Sequence, residues 1–387
     1  MAGTDMNCSS HPSGPLIILA AGGTGGHVFP AEALAAELSN RGCRLALVTD
    51  RRGGDLGGRL GELETHRVRA GGVAGKGPFA KVMSVGELAV GTLQARQLLS
   101  KLSPSAVVGF GGYASVPAML AAVNLKLKTA LHEQNAVLGR ANRLLAGRVG
   151  RIATSFEKVS AIPEKAQQNV VRTGMPVRPN VVSLRETPYP PISADAPIRV
   201  LVFGGSQGAT IFSRVLPDAL AQLGEGFRER LFITQQCRAE DYAGLKDAYD
   251  RMGVPTEIGT FFNDLPERMA ASHLVICRSG ASSVGELTTI GRPAILVPYP
   301  HAIDDHQTAN AYAVDEAGGG WLIPDDAFTP DSLATRLNSL IDMPRALENA
   351  AAGAKRVGSP DAAGRLADMV AGLLPTNGDP EMEREAA

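Results

Sequence analysis

Little in this chain points to a disulfide scaffold, a membrane span or a nucleic-acid surface. Cysteine is scarce: the four residues Cys8, Cys43, Cys237 and Cys277 form no CxxC pair and have no metal-ligand spacing. That excludes a disulfide framework and fits a reducing compartment, where a thiol in a strand or helix acts as a small hydrophobe. Aromatic residues make up 5% and tryptophan occurs once, too few for a base-stacking platform. Neither sign of charge dominates, with 38 Lys and Arg against 39 Asp and Glu, so no global attraction to nucleic acid is expected. The least polar stretch, Ala106 to Leu125, is broken by Gly111, Gly112 and Pro117 and reads as strand, turn and helix rather than a span. The N-terminus has no basic start followed by an apolar run, so no export signal is expected.

What the chain does have is a doubled α/β pattern. Its 387 residues suit two domains. Strand-like runs at 16–21, 44–50, 105–110, 128–131 and 151–154 alternate with helical stretches near 28–40, 82–102, 114–123 and 138–147. Such alternation means a mostly parallel sheet covered on both faces. Periodicity fades across Arg178 to Pro197, which holds five prolines and reads as a linker at 179–196. The scheme then restarts with Ile198 to Phe203, a glycine turn and a helix, and strands recur at 230–234, 256–260, 273–277 and 293–298. The expected fold is α/β, two doubly wound Rossmann-like domains facing across a cleft, at 15–178 and 197–355. The charged tail after Leu374 is read as disordered.

Each half opens with a strand and a glycine turn, LIILAAGGTGG ending at Gly26 and RVLVFGGSQG ending at Gly208. Glycine at such a turn permits φ > 0 and lets a ligand approach the main chain. The N–H groups of the following helix then suit a diphosphate, although the same turn also serves simply to pack helix on strand. Neither turn is a complete dinucleotide fingerprint, since GTGGHV lacks the third glycine, and Gly71 to Lys76 is one residue short of a Walker loop. Asp50, at the end of the second strand, keeps a nicotinamide reading open. His27 follows the first turn, where it can cap or pack, or act as a general base or diphosphate contact.

More polar segments fall at strand-to-helix edges: Gly109-Phe-Gly-Gly-Tyr-Ala-Ser115, His132-Glu-Gln-Asn135, Arg278-Ser-Gly-Ala-Ser-Ser-Val-Gly-Glu286 and Asp304-Asp-His-Gln-Thr-Ala-Asn310. Together GGTGGHVFP, GFGGY, HEQN, GMPVR, GGSQGA, RSGA…GE and DDHQTAN stand in the order of one family. From about residue 15 to 370 the chain is similar to the peripheral-membrane N-acetylglucosaminyltransferases of peptidoglycan synthesis, which have the type B glycosyltransferase fold. Members move GlcNAc from UDP-GlcNAc to the 4-hydroxyl of MurNAc in undecaprenyl-pyrophosphoryl-MurNAc-pentapeptide (lipid I), making lipid II, without a cofactor.

The resemblance implies a division of labour. The C-terminal half would hold UDP-GlcNAc: Glu286 on the ribose, the backbone near Phe262 on the uracil edge, Ser206, Gln207 and Arg178 on the diphosphate, Gln307 and Asn310 on the sugar. Thr24, Gly25, Gly26, Asn135, Ala281 and Ser282 complete the donor set. Gly23, His27, Gly111, Gly112 and Tyr113 would cradle the acceptor diphosphate, and a C-terminal helix at about 358–373 would complete the first domain. His27 and Glu133 are the candidate bases for an inverting displacement. No Asp-x-Asp pair occurs, so no metal is expected on the diphosphate. Helix amides and Arg178 would stabilise the leaving group instead.

The implied location is the cytoplasmic face of the inner membrane, with other cell-wall and division proteins as partners and a place in cell shape and division. Val73, Phe79, Val82 and Met83 beside Lys76 and Lys81, with Arg140, Arg143, Arg148 and Arg151, would suit an anionic bilayer; a solvated helix face is the plainer reading. Gln235-Gln-Cys237 and His306 depart from the family pattern. The alternatives are a UDP-GlcNAc 2-epimerase or a transferase to another acceptor, a nicotinamide oxidoreductase using Asp50, and an idle nucleotide-sugar binding subunit.

Overall fold

The structure, a computed structural model, describes residues 14–22, 25–50, 58–71, 78–193, 196–205 and 208–374, with the backbone alone at 78–82 and 341. Runs such as Leu16-Ile-Ile-Leu-Ala20 have no polar face, so they are stable only where both sides of a strand are covered. They form the centres of two parallel sheets. The first contains β1 (Leu16–Ala20), β2 (Arg44–Asp50), β3 (Glu64–Val68), β4 (Ala106–Gly109), β5 (Lys128–Glu133), β6 (Arg151–Thr154) and β7 (Val170–Arg172), in the order β3-β2-β1-β4-β5-β6-β7. The second contains β8 (Ile198–Phe203), β9 (Leu231–Gln236), β10 (Thr256–Gly259), β11 (Leu274–Cys277), β12 (Ala294–Leu296) and β13 (Gly320–Leu322), in the order β10-β9-β8-β11-β12-β13.

The sheets share one topology. In each, the first strand of the half pairs on one side with the second and on the other with the fourth, as Ile18 pairs with Ala46 and with Val107. The order therefore reverses between β1 and β4 and again between β8 and β11. Helices leave on opposite faces at such a point, opening a crevice beyond the strands' carboxyl ends. Both glycine turns lie there.

The pleat of β1 sends Ile17 and Leu19 into one core with Leu34, Leu38, Leu366 and Val370, and Ile18 and Ala20 into another with Leu99 and Met119. Leu366 and Val370 belong to the helix Ala362–Ala371, so the end of the chain packs on the first sheet, where Arg41 also pairs with Asp368 at 2.6 Å.

The sequence reading omits β3, β7 and β13, and all three are sheet edges. An edge strand is half solvated, so its residues need not be apolar; β3 reads Glu-Thr-His-Arg-Val and only Val68 is buried. The first helix also begins earlier than expected, at Gly25, which puts His27 inside its first turn.

The proline-rich stretch 179–196 contains a short helix, Pro179–Ser183, and packs on the second domain. Tyr189 donates through its hydroxyl to the His273 carbonyl at 2.7 Å. Arg292, 1% exposed, donates to the carbonyls of Thr187, Pro188, Ala270, Ile290 and Gly291. Replacing Arg292 by Met strips buried carbonyls of their donors and is expected to lower stability by on the order of 3 kcal/mol. Urea unfolding checks this, and a change below about 0.5 kcal/mol, the size of a neutral surface substitution, contradicts it.

Candidate active site at the interdomain cleft

The chemistry-bearing residues gather where the two crevices face each other. β5 ends in His132 and Glu133, and the chain then turns through Gln134 and Asn135. Four polar side chains at a buried strand end require partners, since each unpaired group costs a few kcal/mol. Glu133 Oε1 accepts from the Asn135 amide (3.0 Å) and Nδ2 (3.2 Å). Its Oε2 accepts from the Gly139 amide (2.9 Å) and Asn142 Nδ2 (2.8 Å). A carboxylate has about four acceptor positions. All are used, and Glu133 is 1% exposed, so it holds the 133–142 loop and turns no lone pair toward the cleft.

His27 stands differently. Its Nδ1 lies 3.2 Å from Gln134 Oε1, and its half-buried ring abuts the turn at Gly111 and Gly112. Those glycines have φ of 80° and 69°, and a Cβ at position 112 would stand 3.3 Å from His27 Nε2. Only glycine takes this backbone readily and leaves room for the imidazole. Burial pushes the His27 pKa down, against the Glu133 charge and the Gln134 and Phe110 hydrogen bonds that raise it. The ring is thus neutral at physiological pH, as a proton acceptor must be.

Across the cleft, Arg178 donates to Glu286 at 2.9 Å while its guanidinium lies 4.8 Å above the Phe29 ring. Glu286 sits inside the helix Ala281–Ile290 and is 6% exposed. Burial raises its pKa, and Arg178 opposes the rise. Ala281 and Ser282 form the first turn of the same helix, and Ser282 Oγ is buried with no protein partner. Phe262 follows β10, under the Arg268 guanidinium at 4.3 Å. A recess of about 430 Å³ opens beside Gly208, Gln236, Cys237, Arg238 and Thr260, next to the second glycine turn.

Not every expected contact is free. Asn310, fully buried, accepts from the Ala136 amide (2.8 Å) and donates to Asn135 Oδ1 and the Ser279 carbonyl (both 3.1 Å), so its amide bridges the domains. Gln307 accepts from the Tyr299 amide at 3.0 Å. Tyr113, Gly25 and Gly26 line the first crevice at helix starts. Gly23, Thr24, Ser206 and Gln207 lie outside the described residues. Gln235, one of the departures from the family pattern, faces inward and accepts from the buried Tyr249 hydroxyl at 2.5 Å.

Arg140 and Arg143, read as membrane-facing, turn to Asp304 of the second domain at 2.8 and 3.3 Å. An acid is their nearer partner. Gln134 and Asn142 were singled out by neither spacing nor charge: Gln134 lies within a motif but is neutral, and Asn142 lies outside the motifs. Among the described residues, no three His, Cys, Asp or Glu side chains are grouped to hold a metal ion.

His132, fully buried, has its pKa pushed down to about 4 by burial, from 6.5. The unfolded chain therefore takes up a proton that the folded chain refuses. The stability held above pH 6.5 is lost as pH falls toward 4, at about 1.4 kcal/mol per pKa unit. Melting temperatures across this window should fall, and less steeply in His132→Gln; parallel curves would refute the assignment.

Known proteins match both halves of the chain. Residues 17–154 match the glycosyltransferase family 28 N-terminal domain and residues 199–366 its C-terminal domain. The UDP-N-acetylglucosamine–N-acetylmuramyl-(pentapeptide) pyrophosphoryl-undecaprenol N-acetylglucosamine transferase of Paramagnetospirillum magneticum is 59% identical over 93% of this chain and 97% of its own. The protein of the same name from Rhodospirillum rubrum is 56% identical over 94% and 95%. The crystal structure of Acinetobacter baumannii MurG superposes with a TM-score of 0.75 at 29% identity, covering 92% of this chain and 99% of that one. The chain belongs to the UDP-N-acetylglucosamine–N-acetylmuramyl-(pentapeptide) pyrophosphoryl-undecaprenol N-acetylglucosamine transferases, within glycosyltransferase family 28.

Proposed function

We propose that the chain transfers GlcNAc from UDP-GlcNAc to the MurNAc 4-hydroxyl of lipid I, forming lipid II with inversion at the anomeric carbon. The domain at 15–178, with the C-terminal helix, takes the acceptor; the domain at 197–355 takes the donor. One observation carries the reading. Arg178, bonded to Glu286 of the donor side, stacks on Phe29, two positions from His27 in the acceptor crevice. Donor and acceptor machinery thus meet at a single point.

The bond from the anomeric carbon to the UDP oxygen breaks as the hydroxyl oxygen attacks from the opposite face. His27 Nε2 takes the hydroxyl proton. Arg178 and the amides opening the helix Ala281–Ile290 stabilise the charge on the departing diphosphate. Glu286 binds the ribose, so UDP-GlcNAc must share or displace Arg178 on entry. Gly111, Gly112 and Tyr113 hold the acceptor diphosphate, and Glu133 keeps their neighbouring loop in place.

The cytoplasmic membrane face is part of the proposal. No described helix is long and apolar enough to cross a bilayer. The helix Pro78–Leu102 exposes Met83 and Leu93, 57% and 66% accessible, in the acceptor half. An exposed apolar stripe there suits a peripheral seat beside a lipid-borne acceptor. Of the other residues read as membrane-facing, Val73 and Lys76, with the side chains of Phe79, Lys81 and Val82, lie outside the described residues.

Radiolabel transfer from UDP-GlcNAc to a lipid I analogue, with EDTA present, tests the reaction; UDP binding without transfer would point to another acceptor or an idle subunit. His27→Ala should lower kcat by about 10²- to 10⁴-fold with the melting temperature kept. Glu133→Gln should lower the melting temperature as well as turnover, because it uncouples the loop. Near-native turnover in His27→Ala would remove it as the base. Glu286→Gln should weaken UDP binding by roughly 10- to 100-fold in calorimetry, the loss of one charge-assisted bond.

A further inference from the structure

Gln134 lies between β5 and the ring of His27, and every contact of its amide has a fixed sense. Nε2 stands 2.8 Å from the Phe110 carbonyl and 3.2 Å from the His132 carbonyl. A carbonyl oxygen only accepts, so Nε2 must face both. Turning the amide over would set Oε1 against the Phe110 oxygen at that distance, two lone-pair-bearing atoms in contact. Oε1 is therefore left toward His27 Nδ1, at 3.2 Å.

The same reasoning runs on to a second ring. Gln134 Nε2 also stands 3.1 Å from His132 Nδ1, which must accept. The proton of neutral His132 is then on Nε2, 3.4 Å from Ser155 Oγ, and Ser155 passes its own hydroxyl hydrogen to the Glu133 carbonyl at 3.0 Å. Gln134 Nε2 thus gives one hydrogen to the Phe110 carbonyl and shares the other between His132 Nδ1 and the His132 carbonyl.

We infer that Gln134 is a positioning residue that holds His27 as the Nδ1–H tautomer, leaving the Nε2 lone pair aimed at the Gly111–Gly112 turn where the acceptor sits. A neutral imidazole presents one donor and one acceptor, and which nitrogen is which is set by the partner of the other. Without an acceptor at Nδ1, part of the population carries its proton on Nε2 and cannot accept one from the sugar. The inference rests on His27 being the base, yet the tautomer is readable without turnover.

The groups that act on the ring electrostatically are Glu133 on β5, the Phe110 carbonyl after β4, and His306 on the helix His306–Glu316; His132 is its further titrating neighbour. They remain in a Gln134 variant, so a change there reads Gln134 itself.

The test is a long-range ¹H–¹⁵N correlation on ¹⁵N-histidine-labelled full-length chain, well above the ordinary histidine range near pH 6.5. His27→Asn assigns the signals among the seven histidines. The native chain should show a protonated Nδ1 and a bare Nε2. Gln134→Met should show mixed tautomers and a kcat lower on the order of 10- to 100-fold with an unchanged KM for UDP-GlcNAc. Gln134→Glu fits only as the neutral acid, its hydroxyl donating to the Phe110 carbonyl in place of Nε2 while its carbonyl oxygen accepts from Nδ1, so it should keep the tautomer and recover turnover where Gln134→Met does not. A protonated Nε2 in the native chain overturns the inference, as does Gln134→Met with the native tautomer. If His27→Ala retains turnover, the base reading fails on its own while the ring spectrum still decides the tautomer.

Discussion

The saturation of one buried carboxylate underlies the cleft. Glu133 accepts four hydrogen bonds from Asn135, Gly139 and Asn142, and so closes the loop that follows β5. The orientation of Asn135 is set by that carboxylate, and Asn135 in turn meets Asn310 of the second domain. Asn142 donates to the His132 carbonyl from the other side, keeping the strand end rigid. Gln134, between these anchors, has no freedom to turn from His27. A buried charge is costly unless every lone pair is met. Here that cost is offset by backbone amides which would otherwise be unpaired at a strand end.

The doubled fold supplies the rest. Each sheet reverses its strand order beside its first strand, and each reversal opens a crevice at a glycine turn. Two substrates that both carry diphosphates can then be held by the same device, amide groups at a helix start, in two copies facing one another. Arg178 belongs to neither sheet. It caps the short helix after the crossover, reaching Glu286 with its guanidinium edge and Phe29 with its face. Arg140 and Asp304 make a second bridge, exposed and therefore weaker. Beside these polar bridges, Met175, Val177 and Phe156 of the first domain share one apolar cluster with Val284 and Leu287 of the second, so the domains meet through polar and apolar groups alike.

The sequence by itself determined the two α/β halves, the glycine turns and the family. Apolar runs such as Leu16 to Ala20 and Val200 to Phe203 cannot be half exposed, so a parallel sheet is their stable setting. The motifs stand at strand ends because the chemistry needs main-chain groups there. Edge strands β3 and β7 were not legible, because solvated positions such as Glu64, Thr65 and Arg172 break any hydrophobic pattern, and β13 is only three residues long. Tertiary structure alone saturated the Glu133 carboxylate and set the His27 ring against Gln134. It also turned Asn310 into a bridge and paired Arg140 and Arg143 with Asp304. The physical reason is common to all of these. Hydrogen-bond saturation depends in part on atoms brought together from residues far apart in sequence, such as His27 with Gln134 and Asn310 with Ala136, and no local spacing records it.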